Sequence, residues 1–225
     1  MNLLHLSDHH GGAASLRCLL EPYRGEHPDL VLVTGDMIGH FTKMGPPWLD
    51  PFYEGAQQSK EWEAMVDVIN EIFEGVEIVS TTGNHDFCDY AIEGSVKSFD
   101  TACPTMIEVH GLKIAGFTGV SYIAGRWRNE LDDRSVRLML EVLAEVGKEA
   151  DILMTHTGPH GILDFASKST RAQEHIGFKG MWSVIRNFPN LKLHVFGHTH
   201  EAAGTMRRGN VLFSNASCTV NKIVI

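Results

Sequence analysis

The chain has 225 residues, with 19 Lys and Arg against 28 Asp and Glu, a formal net charge of −9. Hydrophobic residues at 43% and charged residues at 21% are globular values that exclude wholesale disorder, and the length fits one domain spanning 1–225. The acidic balance argues against wrapping duplex nucleic acid, no apolar run reaches the roughly 18 residues of a membrane span, and Met1-Asn2-Leu3-Leu4-His5 lacks a leader's charged start, so a soluble, cytoplasmic protein is expected.

In chain order, residues 3–6 and 30–33 are short apolar runs bounded by Gly, Asp and Asn, the pattern of strands buried on both faces. Residues 40–58 are rich in Gly, Pro and aromatics; they are too long for an ordinary connection and show little helical period, so they are read as a loop covering a site. Trp62, Met65, Val66, Ile69, Ile72 and Phe73 then mark one apolar helix face, and 76–79 form the next strand. Residues 107–117, with His110-Gly111 at the middle, predict a hairpin. Val136, Met139, Leu140, Leu143 and Val146 predict a second helix, followed by strands at 152–154, 193–196 and 211–213. Strands alternating with helices, plus a hairpin, predict α/β layers with two mixed sheets in the middle.

The four cysteines, Cys18, Cys88, Cys103 and Cys218, form no CxxC pair, which argues against a disulfide scaffold or a thiolate zinc site. Cys88 is read as small-residue packing. Histidine is the informative count, at 13.

Five strand ends are followed at once by metal-competent side chains. The first three are Asp8-His9-His10, Gly35-Asp36 and Gly83-Asn84-His85-Asp86; His156 and Gly197-His198-Thr199-His200 follow later. Ligand sites in α/β sheets lie beyond the carboxyl ends of strands, so these groups are expected to converge. Asp8 with His10, and His198 with His200, are two apart and point the same way in extended chain, while glycines before Asp36, Asn84 and His198 allow sharp turns and close approach. The donors are carboxylate, imidazole and amide without thiolate, a set suited to manganese, iron, zinc or nickel. Asp8, His10, Asp36, Asn84, His156, His198 and His200 are too many ligands for one ion, and a carboxylate such as Asp36 can bridge two.

Taken in order over nearly the whole chain, these motifs resemble those of the calcineurin-like metallophosphoesterases: D-x-H, G-D, G-N-H-D/E, a lone H and G-H-x-H. The stretches from Thr155 to Asp164 and from Leu191 to Glu201, with Asn215-Ala216-Ser217, resemble the small metallophosphoesterase-domain-containing subgroup, except that Gly158-Pro159 stands where that subgroup often has two prolines. The resemblance implies a four-layer α/β/β/α sandwich. It implies one divalent ion on Asp8, His10, Asp36 and His200 and a second on Asp36, Asn84, His156 and His198, manganese foremost. It also implies hydrolysis of a small phosphodiester, cyclic nucleotides in particular, by attack of a metal-bridging hydroxide. His85, next to a ligand yet outside both sets, is then the candidate general acid, with Asp86 expected to fix its tautomer. Asn84 and His160 are the candidate substrate contacts.

Two other readings remain at this point: a nuclease acting on single-stranded or damaged nucleic acid, and a metal-bound interaction module without catalysis. His9, His40 and His160 sit near the motifs and are read as solvent-facing or supporting groups, and His5 and His194 as hydrogen-bonded histidines within strands. Arg126-Trp127-Arg128 and Arg207-Arg208 are read as solvated surface.

Overall fold

Successive side chains of a strand point to opposite faces, so an uninterrupted apolar run serves two layers at once. The computed structural model describes residues 1–43, 45–167 and 174–225. The first half contains β1 (Asn2–Ser7), α1 (Ala13–Leu20), β2 (Leu30–Val33), α2 (Pro51–Ile72), β3 (Glu77–Thr81), β4 (Val96–Phe99), β5 (Thr105–Val109) and β6 (Leu112–Phe117). Next come β7 (Val120–Ser121), β8 (Glu130–Leu131), α3 (Asp133–Val146), β9 (Ile152–Thr155), β10 (Phe165–Ala166) and β11 (Glu174–His175). The chain closes with α4 (Met181–Ile185), β12 (Leu193–Phe196), β13 (Gly204–Arg208), β14 (Val211–Asn215) and β15 (Thr219–Val224).

One sheet has the order β15-β1-β2-β3-β4 and the other β13-β14-β12-β9-β6-β5. β1 to β4 run parallel with β15 antiparallel at the edge; β6, β9, β12 and β14 run parallel, flanked by antiparallel β5 and β13. Leu3, Leu30, Leu32, Val79, Ile152, Met154, Leu193 and Val195 pack between the sheets. Their strand neighbours Leu4, Val31, Val33 and Ile78 pack instead on Leu16 and Leu20 of α1 and Trp62, Met65 and Ile69 of α2. Leu153, Phe196 and Phe213 meet Met139 and Leu143 of α3 and Met181 and Ile185 of α4. The result is the expected four-layer α/β/β/α sandwich, and the hairpin expected at 107–117 is the β5–β6 pair. No helix among the described residues is long and apolar enough to cross a membrane.

The 40–58 loop is corrected. Met44 lies outside the described residues, but 51–58 are the first two turns of α2, started by Asp50, whose side chain accepts from Tyr53 N at 3.0 Å, and by Pro51 in the first turn. Hydrophobic periodicity is missing there because the inward positions are polar: Glu54, Gly55 and Gln58 are buried. Glu54 binds the chain at 41–42, and Gln58 donates to His85 O at 3.0 Å and accepts from Phe87 N at 2.6 Å. The apolar face begins only at Trp62, where the helix reaches the hydrophobic layer.

Candidate metal centre

Parallel pairing aligns the carboxyl ends of the central strands in both sheets. Leu6 of β1 stands opposite Val33 of β2, and Val33 opposite Ser80 of β3; across the sandwich Val195 of β12 stands opposite Met154 of β9. The turns after these strands bring two clusters together. Asp8, His10 and His200 offer one group of donor atoms within 4.8 Å of one another, and Asp36, His156 and His198 offer a second. Each group could hold a cation, and each draws on both sheets.

The turns are strained where the donors sit. Asp8 (φ 51°), His10 (47°), Asp36 (53°) and His198 (68°) all adopt the left-handed conformation, which costs a non-glycine residue about 1 kcal/mol or more. Main-chain bonds hold them there: Asp8 N donates to Gly35 O at 2.9 Å and His10 N to Asp36 O at 3.1 Å. Glycine is required beside them. A β-carbon at Gly83 would collide with Asp36 Oδ1, and one at Gly197 with Ser7 Oγ and Asp8 Oδ2.

Each carboxylate has one oxygen engaged and one presented. Asp8 Oδ2 accepts from Ser7 Oγ at 2.6 Å, His198 N at 2.9 Å and Ser217 Oγ at 3.0 Å. Its Oδ1 faces His200 Nε2 at 3.2 Å and His10 Nε2 at 3.9 Å, and those two ring nitrogens are 3.3 Å apart. Asp36 Oδ1 accepts from His85 N at 2.7 Å, and Oδ2 faces His156 Nε2 at 3.3 Å. His156 Nδ1 donates to Thr34 O at 2.6 Å; a carbonyl can only accept, so Nε2 is the nitrogen left with a lone pair for a metal.

Whether these residues fit a pair of cations is tested by what they leave unsatisfied. Asn84 Oδ1 is buried without a hydrogen-bond partner, a costly arrangement that a coordinated ion resolves. Charge agrees. Burial works against the anionic forms of Asp8 and Asp36, yet neighbouring histidines hold both below the usual carboxylate range. Burial also opposes charging of His156, but Asp36 and Asp8 push it up to about 10, so in the metal-free chain its proton balances the acids. His198 is pushed down to about 4 by burial and by His156. A metal displaces such a proton when it binds. The donors present therefore fit two divalent ions.

His85 lies beside both clusters. Its ring is 4.8 Å from that of His10 and 4.2 Å from that of Trp127, and burial pushes its pKa down to about 4. Asp86 does not hold it, which corrects the expected role. One Asp86 oxygen accepts from Asp36 N and Gly83 N, both at 2.7 Å, and the other from Tyr90 OH at 2.6 Å, while burial and the Asp36 charge raise its pKa to about 7. Asp86 thus ties the Asp36 turn to the Asn84 turn. His40 Nε2 meets His85 Nδ1 instead, at 2.8 Å. His160 is exposed, and its described ring contact is with His175 at 5.2 Å, not with any of the seven candidate ligands.

His40, Glu54, Gln58, Ser7 and Ser217 contribute to the site without having been singled out for it by the sequence. Of these, His40 was read only as a solvent-facing or supporting group, and Ser217 carried a signal through the Asn215-Ala216-Ser217 stretch, where Asn215 Nδ2 donates to Thr199 O at 2.9 Å and its Oδ1 accepts from Ser217 N at 2.9 Å. His5 and His194 are strand histidines as expected. His5 meets Ser214 Oγ and Thr34 Oγ1, both at 2.8 Å, and His194 Nε2 meets Thr155 Oγ1 at 2.9 Å, although its Nδ1 has no partner.

The calcineurin-like phosphoesterase family model matches residues 1–202. Metallophosphoesterase domain-containing protein 1 of Homo sapiens is 28% identical over 222 residues, covering 89% of this chain and 63% of that protein, and the Mus musculus protein matches equally. The chain therefore spans less than two thirds of the length of these relatives. TT1561 of Thermus thermophilus superimposes with a TM-score of 0.57 at 13% identity, covering 98% of this chain and 97% of that one, a likeness of fold alone. The family model covers most of the chain, and strand ends of two sheets bring the two donor groups together: the chain belongs to the calcineurin-like phosphoesterase family.

Proposed function

We propose that this chain is a dinuclear metal-dependent phosphoesterase that hydrolyses a small, cyclic nucleotide-like phosphodiester. The observation that carries the reading is the pair of donor groups, Asp8-His10-His200 and Asp36-His156-His198, with the orphaned Asn84 Oδ1 beside them. Asp8, His10, Asp36 and His200 would hold one ion and Asp36, Asn84, His156 and His198 the other. Oxygen and imidazole donors without thiolate suit manganese, iron, zinc or nickel, and the resemblance to the family puts manganese first. Bound there, the ions supply Lewis acidity toward the phosphoryl oxygens and acidify a water molecule.

The chain's own residues do the rest. Asp8 and Asp36 stay anionic because neighbouring histidines, His200 and His156 beside Asp8 and His156 beside Asp36, outweigh their burial, while Ser7, Ser217 and the amides of His85 and His198 donate to them and fix their orientation. His85 Nε2 donates a proton to the departing alkoxide; a phosphate anion beside the ring favours the imidazolium that burial otherwise disfavours. Trp127, over His85, and Trp48, 4.5 Å from Trp127, form an aromatic wall that supports a substrate carrying a planar base.

The test is a panel of cyclic, linear and monoester phosphates and single-stranded DNA, assayed with each ion for the wild type and His85→Asn. The variant keeps two metal equivalents and loses roughly 10²–10⁴-fold in kcat on esters with poor leaving groups. A wild type inert toward every ester with manganese supplied, or preferring single-stranded DNA, overturns the reading.

A further inference from the structure

We propose that His40 and Glu54 are positioning residues for His85, forming a Glu54–His40–His85 chain that fixes which His85 nitrogen faces the reaction. The inference rests on the reading of His85 as general acid and adds what holds it in place.

Glu54 is buried, and its carboxylate is met by donors: Phe41 N and Thr42 N at 2.9 Å, Thr42 Oγ1 at 2.6 Å and His40 Nδ1 at 3.0 Å. Burial works against its charge, but the bonds from Thr42, Phe41 and His40 hold its pKa below the ordinary value. An ionised carboxylate only accepts, so His40 Nδ1 carries a hydrogen. In the neutral ring Nε2 is then the acceptor, and it lies 2.8 Å from His85 Nδ1. His85 Nδ1 is therefore the donor, and its Nε2 is the nitrogen left to exchange a proton with substrate.

The opposite tautomer of His40 is disfavoured from both ends. It turns a lone pair toward the Glu54 carboxylate and sets an N–H against the N–H of a protonated His85. Ring rotation is opposed as well, because Trp127 stacks on His40 at 5.9 Å and 29° and leans on His85 at 4.2 Å. Gln58, one helical turn beyond Glu54, grips the backbone on either side through His85 O and Phe87 N. The two α2 side chains thus set both the ring and its main chain.

In the chemical step the His85 Nε2–H bond breaks and an O–H bond forms on the leaving alkoxide. The Nδ1–H remains, donated to His40 Nε2, and no electron is gained or lost.

The first measurement needs no variant and no turnover: long-range ¹H–¹⁵N NMR of the metal-free wild type, expected to show His85 protonated at Nδ1 and His40 at Nδ1. The second compares His40→Ala and His85→Asn on a diester with an alkyl leaving group and on one releasing p-nitrophenol. His40→Ala is expected to keep both metals, to leave KM within about threefold, and to lose about 10–100-fold in kcat on the alkyl ester and little on the nitrophenyl ester. If His85→Asn shows no leaving-group-dependent loss, the acid assignment itself fails. If it does, and His40→Ala matches the wild type on both esters or loses equally on both, the chain proposed here is wrong. A bare His85 Nδ1 in the wild-type spectrum overturns it independently of any variant.

Discussion

The two donor groups have similar chemistry but different surroundings. In the Asp8 group the carboxylate is buried while the His10 and His200 side chains are 26% and 45% exposed. In the Asp36 group both Asp36 and His156 are buried, at 2% and 0% exposure. The inner group also rests on a polar seam between the sheets: His156 is anchored on Thr34 O, Thr34 Oγ1 meets His5, and Thr155, the residue before His156, meets His194. An outer ion would thus be held largely by side chains open to water, and an inner one by a buried carboxylate and by His156, which is anchored before it arrives. Preorganisation of that kind favours affinity, and openness favours exchange.

The largest expected effect removes the residue that joins the two groups. Asp36→Ala should lose both ions and at least roughly 10³-fold in kcat, read by metal analysis and steady-state turnover, because each ion loses a ligand and the transition state loses its paired charges. Full metal content with near-normal turnover would show that Asp36 is not shared.

The second effect separates inner from outer. His156→Ala strands the buried Asp36 carboxylate, and thermal or denaturant unfolding of the metal-free protein should show about 3–5 kcal/mol lost. His200→Ala, at the exposed position, should stay within about 1 kcal/mol while weakening the outer ion. Equal losses of stability would erase the asymmetry.

The smallest effect probes the seam. Burial pushes both His5 and His194 down to about 3, against an ordinary 6.5, with Asp8 raising the former and His5 lowering the latter further. At these two rings the unfolded chain then binds more protons than the folded one below pH 6.5, so their share of the stability is full above that pH and falls as pH drops toward 3. At pH 5 each ring costs about 2 kcal/mol. Unfolding midpoints of the metal-free wild type and of His194→Gln, compared between pH 7.5 and 4.5, isolate one ring's share of the slope from that of His85 and His198, and equal slopes would mean the seam is already wet.

Much of this was legible in the sequence because the site is built from strand ends. β2 and β12 coincide with the apolar runs at 30–33 and 193–196, and in each case chemistry begins within three residues of the strand's end. Where the inward face of an element is polar, that signal vanishes. The first two turns of α2 read as loop because Glu54 and Gln58 face the site, and Asp86 read as a partner of its neighbour His85 because adjacency in the chain says nothing of which way a turn aims a side chain.

By itself the sequence determined the main strand runs, the mixed α/β layers and the metal-competent residues that follow the strand ends, since strand period, apolar runs and Gly-bounded turns are local properties; the four-layer order and the proposed ligand set came from its resemblance to the family. Only the tertiary structure decided that Asp8 and Asp36 each present one oxygen, that His156 uses Nε2, and that His40 rather than Asp86 meets His85. Those outcomes depend on contacts between residues as far apart as Asp8 and Ser217, or Thr34 and His156, where hydrogen-bond geometry across two sheets selects the atom and chain position cannot.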